Sequence, residues 1–188
     1  VNDRYLDYTT PAEPGDLPKR KTSEAWPPVG GAAAFLDFIA DELLPAVGSR
    51  IPIDRSRLTL FGHSLGGFFT FHTLLARPGL FSTYVAGSPS VWWNRHELLE
   101  RIPAFSIADA ELASKRLMIG IGANELDDMV DGARRAAAAF APFARRGLTF
   151  RHYEIAGEEH VTVLPALLSR AIAFTHTAVD MLDKPREY

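Results

Sequence analysis

The sequence predicts a three-layer α/β domain, a parallel sheet between helices, and three observations carry that expectation. Short apolar runs at Thr59–His63, Tyr84–Gly87, Arg116–Gly122 and Leu148–Ile155 read as strands, and a helical pattern lies between or after them. Leu117–Gly122 is apolar without a break, as a strand covered on both faces should be. Strands that alternate with helices call for a parallel sheet joined by right-handed crossovers. A chain of 188 residues, 47% hydrophobic and 23% charged, is enough for one domain with a sizeable core.

The elements follow in order. Residues 1–28 carry Pro11, Pro14, Gly15, Pro18, Pro27 and Pro28 with little periodicity, so they are expected to be an irregular loop segment of the single domain 1–188. A helix is expected from Gly31 to Leu44, with Phe35, Phe38, Ile39 and Leu43 on one face, ended by Pro45 and Gly48. After the first strand, Leu65–Ala76 is apolar almost all round and reads as a buried helix that stops at Pro78-Gly79. The second strand leads into Ser88-Pro89-Ser90-Val91-Trp92-Trp93. The third precedes an alanine-rich helix from Asp131 to Phe143. The last helix should run from Val163 to Met181, with Leu164, Leu167, Leu168, Ala171 and Ile172 facing inward.

Composition removes several classes of function. A formal charge of −3 leaves no basic excess for a nucleic-acid partner. No cysteine means no disulfide, no thiolate nucleophile and no cysteine-ligated metal; it fits cytoplasm or periplasm, with the cytoplasm the expected compartment. No apolar run approaches the ~18 residues needed to span a bilayer. Glu158 and Glu159 lack a matching His or Asp spacing, so no metal is expected. The start at Val1 with no charged-then-apolar leader is expected of a fragment, a processed form or a chain that continues upstream.

The chemistry centres on Gly62-His63-Ser64-Leu65-Gly66, a strand that turns abruptly into a helix. Such a turn exposes the serine hydroxyl on a strained backbone, and glycines at 62 and 66 avoid a Cβ where strand and helix meet. G-x-S-x-G in this setting is the nucleophile elbow of α/β-hydrolases, where Ser, acid and His follow in that order. A serine hydroxyl needs a base within reach, and the base needs an orienting partner. His160 follows the last strand and precedes the last helix, where that order puts the base; helix capping or plain exposure is the bland alternative. His63 should point away from Ser64 by strand alternation. His72 should be buried, His96 and His176 at the surface, and His152 in mid-strand.

The acid should follow the third strand, where Glu125, Asp127 and Asp128 compete and either aspartate could instead cap the next helix; a Ser–His pair without an acid is the further alternative. Leu65 N–H, at the positive end of its helix, supplies one oxyanion donor. No strand and loop before residue 28 offers the second. Of Trp92 and Trp93, either one packs inward while the other lines a pocket, or both serve packing. Arg4, Trp92, Trp93 and Asn94 are candidates for contacting an anionic or aromatic substrate.

Together these residues make the chain resemble a family of esterases in the α/β-hydrolase superfamily, which includes esterase D-like enzymes and the ferric-siderophore (enterobactin and salmochelin) esterases. The resemblance rests on Arg4-Tyr5-Leu6-Asp7-Tyr8-Thr9, Phe35-Leu36-Asp37-Phe38-Ile39 with Glu42-Leu43, Leu60–Gly67, and Ser88-Pro89-Ser90 with Trp92-Trp93. It covers nearly the whole chain and places Glu125 and His160 at the family's acid and base positions. It implies an α/β-hydrolase fold with a larger mixed sheet, so this chain should lack the N-terminal strands and the loop carrying the second oxyanion donor. The implied activity is hydrolysis of a small-molecule carboxylic ester, siderophore-type or small acyl, without cofactor. Acyl transfer on the same scaffold and a non-catalytic domain of the same fold are the alternatives.

Overall fold

A computed structural model describes residues 3–18 and 25–176. Among them, β1 (Thr59–His63), β2 (Thr83–Gly87), β3 (Arg116–Gly122) and β4 (Thr149–Ile155) form one parallel sheet in that spatial order. The two inner strands are almost wholly buried, whereas β1 and β4 are half-exposed. Among the described residues this is an α/β-hydrolase-type core with no strand ahead of β1. Among the described residues β1 pairs only with β2, so Ser64 follows an edge strand.

Ahead of the sheet lie α1 (Arg4–Tyr8), α2 (Ala32–Asp37) and α3 (Leu44–Gly48). The turn of helix at α1 lies in the stretch expected to be irregular; Asp3 caps it by accepting from the N–H groups of Tyr5 and Leu6. Between α2 and α3 the chain widens into a π-helix, Phe38–Leu43, and Leu44 N–H donates to Ile39 O, five residues back. Pro45 therefore falls in the first turn of α3, where its missing N–H costs nothing, and it does not end the helical segment. The widened turn also rotates the expected face: Leu36 and Ile39 are buried, while Phe38 and Leu43 are exposed.

α4 (Leu65–Ala76), α5 (Trp93–Arg101), α6 (Asp109–Leu112) and α7 (Asp127–Ala144) occupy the crossovers, and α8 (Val163–His176) follows the last strand. Sequential strands joined by right-handed crossovers put the intervening helices on one face. There α4, α5 and α7 build the larger core, including Phe68, Phe71, Trp93, Leu98 and Phe140. α5 and α6 have no counterpart in the sequence-based expectation: polar Asn94, Arg95, His96 and Glu97 open the first, and the second is a single turn of four residues. α7 begins at Asp127, earlier than expected, since Met129 and Val130 are buried and two aspartates favour the positive end of a helix.

Among the described residues α8 alone covers the other face, against Val85 and Met118. Its inner stripe is Val163, Leu167, Ala171 and Phe174. Leu168 and Ile172, expected to face inward, are 46% and 62% exposed. Two adjacent stripes of this helix are apolar, and its docking angle selects one. The expected end of this helix at Met181 lies outside the described residues. Among those described, no helix is long and apolar enough to cross a membrane.

Candidate active site

Backbone hydrogen bonds continue past the carboxyl ends of the strands and tie their loops together. Ser64 N–H donates to Gly87 O (2.9 Å), Ser88 N–H to Gly120 O (2.6 Å) and Ala123 N–H to Ile155 O (2.9 Å). Ser90 N–H returns to Ser64 O (3.1 Å). The loops carrying Ser64, Ser88, Glu125 and His160 are thus held in one row along the edge where parallel sheets receive ligands.

Ser64 sits at φ 60° and ψ −120°, a conformation that costs an L-residue energy and that surrounding contacts must maintain. It occupies the N-cap of α4, yet its side chain makes no cap hydrogen bond, so Oγ is left to face outward. A Cβ on Gly62 would lie 1.9 Å from Gly66 O, which makes glycine obligatory there. Gly66 differs from expectation: a Cβ there would meet open space, and the residue lines the cleft. The close contact on the helix side belongs to Gly67, where a Cβ would approach Gly87 O at 2.7 Å.

Of the three candidate acids, Glu125 alone meets the imidazole. His160 Nδ1 lies 2.6 Å from Glu125 Oε2, while Ser88 Oγ and Gly122 N–H donate to Oε1 at 2.5 and 2.9 Å. Burial raises the carboxyl's affinity for a proton, but the bonds from His160, Ser88 and Gly122 together hold Glu125 below the ordinary carboxylate range. Asp127 and Asp128 lie in the exposed first turn of α7, and Asp128 faces the cleft. Gly122 also governs His160. A Cβ on Gly122 would lie 2.4 Å from Glu158 O, so glycine lets the His160 loop settle onto the end of β3, where Asn124 N–H bonds Glu158 O (3.0 Å).

Ser64, Leu65 and His160 open on one cleft of about 1140 Å³, just above the usual size of small-molecule sites. Ser64 Oγ lies 3.4 Å from Ser90 Oγ and makes no direct hydrogen bond to His160. Such a bond commonly tightens only around substrate. Arg4 and Trp92 line the same cleft. Trp93 does not: it is fully buried, edge-on to Phe68 and Trp26, and its Nε1–H donates to Thr10 O at 3.1 Å.

His63 corrects the sequence reading. It was expected to turn from the site, but it lines the cleft with its ring 4.6 Å from that of His160. Strand alternation directs it to the opposite face of the sheet from Gly62, and the His160 loop crosses that face. Burial, then the neighbouring His160, push its pKa below the usual histidine value. His96, expected at the surface, also lines the cleft. It ends a run of three left-handed residues, Asn94, Arg95 and His96. This turn is held by Asn94 Nδ2–H donating to Pro11 O (3.2 Å) and to Glu97 Oε2 (2.9 Å), and by an Arg95–Asp16 ion pair. Nothing in the local sequence signals such a turn beyond an asparagine, which tolerates this conformation.

Comparison with known proteins gives a consistent result. The family model described as "Putative esterase" matches residues 9–162. Ferri-bacillibactin esterase BesA of Bacillus subtilis (strain 168) is 38% identical over 176 residues, covering 91% of this chain and 61% of that protein. Siderophore triacetylfusarinine C esterase of Aspergillus fumigatus is 32% identical over 186 residues, covering 82% of this chain and 63% of that protein. Among solved structures, the BES protein from Bacillus cereus superposes with a TM-score of 0.81 at 31% identity, over 94% of this chain and 66% of that one. The chain spans less than two thirds of the length of these curated relatives.

Proposed function

This chain belongs to the esterase family just described, and from that premise we propose that the protein hydrolyses a carboxylic ester through Ser64, His160 and Glu125. In this reading Ser64 Oγ attacks the ester carbonyl while His160 takes its proton. Glu125 fixes the ring through Nδ1 and stabilises the imidazolium that forms. Leu65 N–H, an unpaired donor in the first turn of α4, stabilises the oxyanion. His160 then protonates the leaving alcohol and activates the water that releases the acid. This chemistry asks for no metal or cofactor.

The observation that carries the reading is the 2.6 Å contact between His160 Nδ1 and the buried Glu125 carboxylate, at the same sheet edge as a serine on a strained elbow. The names of the curated relatives point to siderophore esters as the substrate class, with Trp92 and Arg4 at the cleft wall placed to meet an aromatic or anionic group. Ser64→Ala in the full-length protein should lower p-nitrophenyl ester turnover by at least about 10³-fold. Unchanged turnover would overturn the proposal. Transfer of the acyl group to a competing alcohol in place of water would make the protein an acyltransferase. Failure of a fluorophosphonate to label Ser64 in folded protein would make it a binding domain.

A further inference from the structure

Glu125 has more partners than orienting a histidine requires. One oxygen, Oε2, faces His160 Nδ1; the other receives two donors, the Ser88 hydroxyl and Gly122 N–H. Ser88 is fully buried, and the Glu125 carboxylate is the acceptor its hydroxyl uses. Its backbone is left-handed at φ 40°, a conformation that glycine would adopt without strain. A serine kept where glycine is easier is explained if its hydroxyl is needed. Ser88 N–H to Gly120 O extends the ladder between β2 and β3 by one residue and holds that strained backbone in place.

We infer that Ser88 is a positioning residue for the proposed ester hydrolysis, its hydroxyl holding Glu125 Oε1 so that Oε2 is aimed at His160. The inference rests on the Ser64–His160–Glu125 reading. A carboxylate on a three-torsion side chain is not oriented by one hydrogen bond. Two donors converging on Oε1 set the plane of the group and hence the place of Oε2. Without Ser88, Oε1 keeps only Gly122 N–H, the group can turn about its own axis, and the imidazole loses its fixed partner. Ser90, two residues on, contrasts with it: Ser90 lines the cleft beside Ser64, whereas Ser88 is sealed behind the acid. Ser88 therefore acts on the rate and not on substrate contact.

The test compares Ser88→Gly and Ser88→Ala with Ser64→Ala and Glu125→Gln in the full-length protein. Both Ser88 variants should lower kcat about tenfold and leave KM unchanged, because a misaimed group penalises the step and not the binding. The low-field proton resonance of the His160–Glu125 hydrogen bond should shift or broaden in both. Glycine relaxes the backbone, so Ser88→Gly should melt no lower than Ser88→Ala, and it carries the test if the alanine variant fails to fold. A kcat within about twofold of the parent, or a loss with the resonance unmoved, would overturn the inference. If Ser64→Ala or Glu125→Gln kept full activity, the triad reading itself would fail. If both were inactive while Ser88→Gly turned over normally, only the role of Ser88 would fall.

Discussion

The two ends of the cleft are held by different kinds of force. At the inner end, a buried carboxylate is fixed by three partners, and the loops that carry the site are tied by main-chain bonds running on from the sheet. At the outer end, Arg4 is exposed, and the left-handed turn 94–96 is held by one ion pair and by the Asn94 amide donating to Pro11 O and to Glu97 Oε2. An organised, water-poor interior makes each polar contact count, whereas an exposed pair is screened and contributes little. Chemistry that depends on sub-ångström aim is suited to the inner end, and substrate selection to the outer one.

The strongest way to break that contrast is Glu125→Gln. The amide keeps the shape but removes the charge that, in the proposed mechanism, stabilises the imidazolium, so kcat should fall by about 10³-fold or more. Steady-state kinetics would check it, and a fall of only a few-fold would mean the inner end is not organised around this acid. The same variant reports on pH. Because Glu125 is held below the ordinary carboxylate range, its contribution to stability is present above that range and is lost as pH falls through its lowered value. Melting temperatures taken between neutral and acid pH should therefore fall less steeply in Glu125→Gln than in the parent.

Gly122→Ala tests whether backbone contact carries the geometry. The added Cβ meets main-chain atoms of Glu158, which cannot give way as a side-chain tip would. A cost of about 1–3 kcal/mol in stability is expected, with a loss of kcat as His160 is pushed from Glu125; denaturant melts and kinetics would measure both. At the outer end the effects should be smaller and of another kind. Trp92→Ala should raise KM by about tenfold with kcat little changed, as the wall of the cleft loses apolar area. Arg95→Ala, which removes an exposed ion pair with Asp16, should cost no more than ~1 kcal/mol in stability. A collapse in kcat from either outer variant would show that rim and interior are coupled.

Much of the framework was legible in the chain. Strand periods, the apolar α4 and the elbow at Ser64 are local properties, and four strands with glycines or turns at their carboxyl ends put every candidate at one edge. What remained open was long-range. Three acids stood after β3, and only the crossing of the His160 loop over Gly122 selected Glu125. Strand alternation turned His63 from Ser64 but could not know that His160 would arrive on the other face. Trp92 and Trp93 are neighbours with identical side chains, and the docking of Thr10 decided which became buried. The role inferred for Ser88 depends on a residue 37 positions away.

By itself the sequence determined the class of fold, the order of serine, candidate acids and histidine along it and the need for a strained turn at the serine. These rest on residue periodicity and on sterics within a few residues. Tertiary structure decided the partner of His160, the inner face of α8, the burial of Trp93 and the company of His63. Each depends on the angle at which distant segments pack, and no local pattern encodes that angle.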